Sequence, residues 1–358
     1  MKKKNFDDNY IPYGKQKVTS EDIKEVSKVL KSDFLTQGPI GEIFESRISE
    51  KLLSNFSVAF NSATSALHAA CLSLGVSSGD FVWTSPNTFV ASANCAKLCG
   101  ANIDFVDIEP STGLMSIEKL ETKLEIAKKN NSLPKVVIPV HLCGSSCDMK
   151  PIYKLSKIYN FFIIEDASHA LGGKYDNEPV GNCKYSDICV FSFHPVKIIT
   201  SGEGGVATTN QLTLSKKLRS FRSHGITKND SEFQKTSAGP WYYEMQYLGL
   251  NYRLSDIQSA LGLSQLKRLD AIVEKRNKLI NFYKTSTTDL PFNFLKVPEN
   301  VYSSFHLAVI RLNNKSASYH LKVFKELRRS GIGVQLHYLP VHLHPYYRNM
   351  GFCEGDFP

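Results

Sequence analysis

Nowhere in these 358 residues is there an apolar run long enough to cross a bilayer, an internal repeat, a low-complexity tract or a helix-length basic face interleaved with aromatics. The first absence argues against a membrane protein. The last argues against nucleic acid as a partner: Lys and Arg number 43 against 34 Asp and Glu, a net charge of +9, yet beyond Met1 to Lys4 the basic residues are scattered among acids. That surplus suits anionic small molecules. The N-terminal charge runs straight into polar NFDDNYIPYGKQ without the apolar core of a secretory signal, so a soluble, cytoplasmic protein is expected.

Cysteine occurs eight times but forms no framework. The eight are spread through segments that read as buried, which fits reduced thiols packed as small hydrophobes. Cys143 and Cys147 near His141, and Cys183 with Cys189, raise a metal reading. A structural zinc site wants two compact ligand pairs, and no second matching pair stands in these loops, so no metal is expected. Cys95 and Cys99 lie one helical turn apart and read as a buried helix face.

What the chain does have, from Phe56 onward, is short apolar runs alternating with amphipathic stretches. SVAF, DFVWTS, NIDFVDI, KVVIPVH, YNFFIIED and DICVFSF read as strands, and GEGGVATTN as a hairpin return. Helices are expected at NSATSALHAACLSLG, NTFVASANCAKLCGA, around Ile117 to Lys128 and around Ile152 to Ile158. Strands this apolar are covered on both faces, which predicts an α/β domain with a mainly parallel sheet. A large domain over 1–255 is followed by a linking helix and a small C-terminal domain over 256–358. Near Leu290 the character becomes α+β, with strands at FHLAVIRL and IGVQLHYLP flanking a helix at ASYHLKVFKELRRSG.

Three strand-end features belong together, because ligands collect where parallel strands end. In NSATSALH, Ala63, Thr64 and Ser65 open a helix with free amides and hydroxyls, which fits a phosphate seat or an ordinary Ser/Thr cap. In FFIIEDASHA, Asp166 ends a buried strand, where a carboxylate is costly unless it caps a turn or meets a cation such as a protonated ring nitrogen. In FSFHPVKIITSGEGG, Lys197 is either a solvated flank or an amine able to form an imine, with Ser192 in reach of a phosphate. Together they match the handles of pyridoxal 5'-phosphate, and Phe89 in NTFVASAN offers a face for its ring.

In order along the chain, NSATSALH, SPNTFVASAN, EDASHALG, FSFHPVK with GEGG, FRSHG, LGLNYRLSDIQSALGLSQL and VQLHYLPVHLHPYY resemble the motifs of the DegT/DnrJ/EryC1/StrS nucleotide-sugar aminotransferases. The resemblance covers nearly the whole chain. It implies the aspartate aminotransferase (type I) fold, pyridoxal 5'-phosphate as cofactor, L-glutamate as amino donor and a homodimer with shared active sites. Lys197 matches the Schiff-base lysine and Asp166 the partner of the pyridine nitrogen. Phe89 matches the stacking aromatic, while Ala63, Thr64 and Ser192 match phosphate-contact positions. His169 falls near the ring hydroxyl, where many relatives carry Gln, and Asn251 falls where an asparagine reaches the neighbouring subunit's cofactor phosphate. Tyr13, Asp33, Phe34, Leu35, Thr36, His337 and Tyr338, with Ala63 and Ser192, are implied to line the sugar-nucleotide pocket.

Within the family, IPYGKQ…SDFLTQGP and FNSATSALH…SFHPVK are most similar to members that aminate C4 of a UDP-4-keto-6-deoxy-N-acetylhexosamine for pseudaminic acid. Relatives that aminate C3 or C4 of other keto-sugars, as for perosamine or legionaminic acid, share these motifs. The sugar, its C4 stereochemistry and the choice of UDP or dTDP therefore stay open. Family dehydratases replace the lysine by histidine, which Lys197 argues against. A non-catalytic nucleotide-sugar binder is the rival from another class, because members usually continue past a GDFP-like point and a closing segment is expected to be missing here.

Overall fold

The computed structural model describes residues 10–314 and 316–358, so the basic stretch Met1 to Lys4 lies outside the described residues. Seven strands, β1 (Phe56–Phe60), β2 (Phe81–Thr84), β3 (Asn102–Phe105), β4 (Val136–Ile138), β5 (Phe162–Asp166), β6 (Ile188–Ser192) and β7 (Gly205–Thr209), form one sheet in the order β1-β7-β6-β5-β4-β2-β3. β7 runs antiparallel to both of its neighbours, and every other pairing is parallel. Period-two alternation splits the strand residues between two faces. Val58, Phe60, Ile164, Ile188 and Val190 enter one core, and Ala59, Cys189, Phe191 and Val206 enter the other. Burying each aliphatic side chain contributes roughly 1.5–3 kcal/mol, which is why the strands read as continuous apolar runs.

Helices cover both faces: α1 (Ser20–Leu30), α2 (Pro39–Leu52), α3 (Ala63–Ser73), α4 (Ala91–Leu98), α5 (Ile117–Lys129), α6 (Met149–Tyr159), α7 (Leu212–Arg222), α8 (Asp256–Leu266) and α9 (Leu269–Ser286). α3, α4 and α7 close the first core, and α2, α8 and the start of α9 close the second. α5 and α6 pack on Trp83, Val137 and Ile163. Packing therefore crosses the 255/256 boundary expected from sequence, since Leu266, Leu269 and Val273 sit against the large sheet.

Residues 287–340 are built differently. β8 (Phe292–Phe294) and β9 (Ile310–Leu312) form a two-stranded antiparallel sheet, and α10 (Ala317–Arg329) buries none of its residues. Two sequence expectations are corrected here. FHLAVIRL is strand only over Ile310–Leu312, and IGVQLHYLP is irregular apart from one bridge between Ile332 and Ile11. Its backbone groups find partners in loops instead: Gly333 N–H donates to the Ile11 carbonyl at 2.7 Å and Tyr338 N–H to Asn87 Oδ1 at 3.0 Å. After it the chain returns to the large sheet, where Val341 and Tyr347 join the first core and Phe352 and Phe357 pack on Phe105.

Candidate active site

One edge of the sheet collects the C-terminal ends of β1, β2, β4, β5 and β6 and the start of antiparallel β7. Asp166 closes β5 and is 5% exposed. Its Oδ2 accepts a hydrogen bond from Ser92 Oγ at 2.6 Å, and its Oδ1 accepts from Ser168 N and Oγ at 3.1 and 2.6 Å. Ser92 in turn meets the Thr88 hydroxyl at 2.9 Å, which ties the carboxylate to the loop carrying Phe89.

Ser192 ends β6 opposite Gly205, the first residue of β7. A turn closed by Lys197 N–H donating to the His194 carbonyl at 2.9 Å follows, and it delivers the lysine to the same edge. The Lys197 amine makes no hydrogen bond or ion pair among the described residues. Burial pushes it down to about 8, with Asp166 and Cys143 opposing the shift. A lysine held this way has a substantial neutral fraction at physiological pH. The glycines behind it are needed for close approach: a Cβ on Gly205 would stand 2.5 Å from Ala63 N, and one on Gly204 would stand 2.2 Å from Ser201 Oγ.

Ser62 caps α3, its hydroxyl accepting from Ser65 N–H at 3.1 Å, while Ser65 Oγ donates to Asn61 Oδ1 at 2.6 Å. The cap consumes Ser65. Ala63 and Thr64 keep N–H groups with no acceptor among the described residues, at the positive end of a helix and beside β7. Those amides suit an anion.

The walls hold a histidine pair, of which sequence reading named His169 and missed His306. His169 Nδ1 accepts from Cys143 N–H at 3.3 Å, so its proton sits on Nε2, which lies 3.3 Å from the Tyr338 hydroxyl. His306 packs on it with ring centroids 4.5 Å apart. Burial, the Lys197 charge and the neighbouring histidines hold both imidazoles neutral, well below the usual histidine range. The turn carrying His306 is pinned from three sides. Arg276 Nη1 donates to the Phe305 and His306 carbonyls at 3.1 Å, Ser304 N–H to the Gly144 carbonyl at 3.0 Å, and Ser304 Oγ to the His169 carbonyl at 2.9 Å.

Of the sequence-predicted residues, Tyr13 joins the cluster through a 2.7 Å hydrogen bond to His337 Nε2, and the Phe89 ring lies 6.2 Å from Tyr338. Phe89 is otherwise 57% exposed. The stretch Asp33, Phe34, Leu35, Thr36 is exposed and fastened elsewhere, the Leu35 carbonyl accepting from Asp256 N–H at 3.0 Å at the start of α8. Asn251 is also exposed and forms an antiparallel bridge with Ser223. Ser92 was missed although it stands in the same motif as Phe89. A hydroxyl in the first turn of a helix just past a strand end was the available signal.

The three handles of pyridoxal 5'-phosphate are a phosphate, a ring nitrogen and an aldehyde. The site offers unpaired amides at Ala63 and Thr64, a doubly supported carboxylate at Asp166 and an unpaired amine at Lys197, so its residues fit the group. Comparison with known proteins agrees. The DegT/DnrJ/EryC1/StrS aminotransferase family matches residues 16–358. The chain is 39% identical over 341 residues to the UDP-4-amino-4,6-dideoxy-N-acetyl-beta-L-altrosamine transaminase of Campylobacter jejuni, covering 95% of this chain and 86% of that one. Among solved structures, Helicobacter pylori PseC, an aminotransferase involved in the biosynthesis of pseudoaminic acid, superposes with a TM-score of 0.85 at 34% identity, over 95% of this chain and 88% of that one. The sugar aminotransferase Spr1654 from Streptococcus pneumoniae, described as putative and solved in its PLP form, gives a TM-score of 0.86 at 29% identity, over 98% of this chain and 90% of that one. The chain belongs to the DegT/DnrJ/EryC1/StrS aminotransferase family and is a pyridoxal-phosphate-dependent sugar aminotransferase of type I fold.

Proposed function

We propose that the protein transfers the amino group of L-glutamate to C4 of a UDP-linked 4-keto-6-deoxy-N-acetylhexosamine on the way to pseudaminic acid. The likeness to the C. jejuni transaminase over 95% of this chain is the observation that carries the choice of sugar. When bound, pyridoxal 5'-phosphate supplies the carbonyl that carries the amino group between the two substrates and the ring that stabilises charge at the reacting carbon.

The chain's own residues do the rest. Ala63, Thr64 and Ser192 would hold the phosphate, Phe89 would offer a face to the ring, and His169 would offer its Nε2–H to the ring hydroxyl. Asp166, steadied by Ser92 and Ser168, keeps a proton on the ring nitrogen. Lys197 Nζ takes and returns the proton at the reacting carbon, and its lowered pKa supports general-base work near neutral pH. Tyr13, His337 and Tyr338 line the way in for the sugar nucleotide. Asn251 reaches a second copy's cofactor phosphate in a homodimer. Its exposure supports this reading, as does the apolar surface at Trp241 and Leu248, 75% and 83% exposed.

The test is a panel of 4-keto and 3-keto sugars on UDP and dTDP, each supplied with L-glutamate and the product configuration read by NMR. The expected outcome is fastest turnover of the UDP-4-keto-6-deoxy-N-acetylhexosamine with a new amine at C4. Preference for a 3-keto or a dTDP-linked sugar would overturn the substrate assignment.

A further inference from the structure

The HLCGSSC segment, 141–147, raises a metal question in the sequence and has no part in the chemistry described above. Its His141 is wholly buried, and both ring nitrogens are spent inside the protein. Nδ1 accepts from Cys147 N–H at 3.1 Å, and Nε2 donates to Glu165 Oε2 at 2.7 Å. Glu165, itself 5% exposed, is held in turn by Ser186 Oγ, which donates to Oε1. Burial opposes a charge on the imidazole, but its bonds to Cys147 and Glu165 raise it to about 10. A second ring proton would nevertheless point at the Cys147 amide, so Nδ1 remains the acceptor and the one proton stays on Nε2, shared with Glu165.

The imidazole joins the two ends of one turn. His141 starts it beside β5, where its own N–H donates to the Asp166 carbonyl at 3.0 Å, and Cys147 ends it with its thiol donating to the Val140 carbonyl at 3.2 Å. Between them Cys143 is held at φ 61°, in the left-handed region that a residue with a Cβ seldom occupies, and Gly144 follows at φ 103°. A turn strained in this way relaxes unless its ends are tied. That backbone aims Cys143 N–H at His169 Nδ1, 3.3 Å away, which leaves the His169 proton on Nε2, on the side of the Tyr338 hydroxyl.

We propose that His141 is a positioning residue: oriented by Glu165, it ties Cys147 to the start of the turn and thereby fixes His169 as its Nε2–H tautomer. It acts through Cys143 and not on a reacting atom. The consequence for turnover rests on the proposed contact of His169 with the ring hydroxyl; the tautomer itself does not.

The test is the nitrogen NMR spectrum of holoenzyme labelled in its histidine rings, with the His169 signals assigned by their absence from His169→Gln. In the unaltered protein His169 should show a protonated Nε2 and a bare Nδ1. Glu165→Gln, which still presents an oxygen to His141 Nε2–H, should keep that pattern. His141→Gln leaves a donor for Glu165, so that no buried charge stands alone, but carries no acceptor at the Nδ1 position. The single tautomer should then give way to a mixture, and kcat on the fastest sugar of the panel should fall by about 2–13-fold, the worth of one hydrogen bond. Introduced into His169→Gln, whose amide has no tautomers, the same change should alter kcat by less than about twofold. The proposal fails if His169 in the unaltered protein carries its proton on Nδ1, a result that needs no variant. It also fails if His141→Gln leaves the tautomer unmixed, or if the kcat loss is the same in both backgrounds although His169→Gln itself is impaired. An unmoved kcat in His169→Gln alone contradicts the ring-hydroxyl reading instead, and the tautomer comparison then decides the role of His141.

Discussion

The floor and the cover of the site are held by different means. Asp166, Ser192 and the approach to Lys197 grow from strands whose residues are buried on both faces of the sheet. Tyr338 and His337 come from an irregular stretch fastened by a few bonds, chiefly Tyr338 N–H to Asn87 Oδ1 at 3.0 Å, Tyr13 Oη to His337 at 2.7 Å and Val341 N–H to the Pro86 carbonyl at 2.8 Å. Groups that must meet reacting atoms within tenths of an ångström sit where displacement disrupts close packing. Groups proposed to face the sugar sit where a few hydrogen bonds decide their position. Changes to the floor should therefore lower kcat, and changes to the cover should raise KM.

The largest effect is expected from Lys197→Ala, which removes the proposed proton carrier and covalent anchor. Turnover should fall by roughly 10³-fold or more, and the visible absorbance of the cofactor-loaded protein should disappear. Asp166→Asn keeps the shape but cannot hold a proton on the ring nitrogen as a carboxylate does. kcat should fall by about 10²–10⁴-fold with folding intact by circular dichroism. On the cover, Tyr13→Phe deletes one bond to His337, worth about 0.5–1.5 kcal/mol, and should raise the sugar KM by roughly 2–13-fold while kcat changes little. A kcat loss from Tyr13→Phe as deep as that from Asp166→Asn would erase the distinction. Smallest of all is Leu321→Ala on α10, 51% exposed, which should shift stability by no more than about 0.5 kcal/mol in urea unfolding.

Acidity sharpens the same contrast. The free Lys197 amine is the capturing form, and burial lowers its pKa to about 8. Protonation below that value blocks capture. Uptake of pyridoxal 5'-phosphate by the apo-protein should therefore be slow at acid pH, rise through about pH 8 and level off above it, where a surface lysine would still be climbing toward about 10.4. A midpoint near the surface value would show that the amine is not held in the desolvated floor.

The floor was legible because its physics is local. FSVAF, FIIED and ICVFS are apolar runs bounded by polar turns, and the last two end in Asp166 and Ser192, each too polar for where it stands unless it meets something. The cover was not legible in this way. IGVQLHYLP carries the alternation of a strand, but its backbone is satisfied by Ile11 and Asn87 from distant parts of the chain, which no window of neighbours records. His306 was hidden for the same reason. Its segment reads as strand, yet residues 303–307 form a turn held by Arg276, Asn277 and Gly144. The serine pair Ser303 and Ser304 was the one local hint of that turn.

Borohydride reduction of the cofactor-loaded protein, followed by proteolysis and mass spectrometry, tests most directly whether the amine facing Asp166 is the one that binds vitamin B6. The account predicts a single phosphopyridoxyl adduct on the peptide containing Lys197. An adduct on a different lysine, or none, would contradict it.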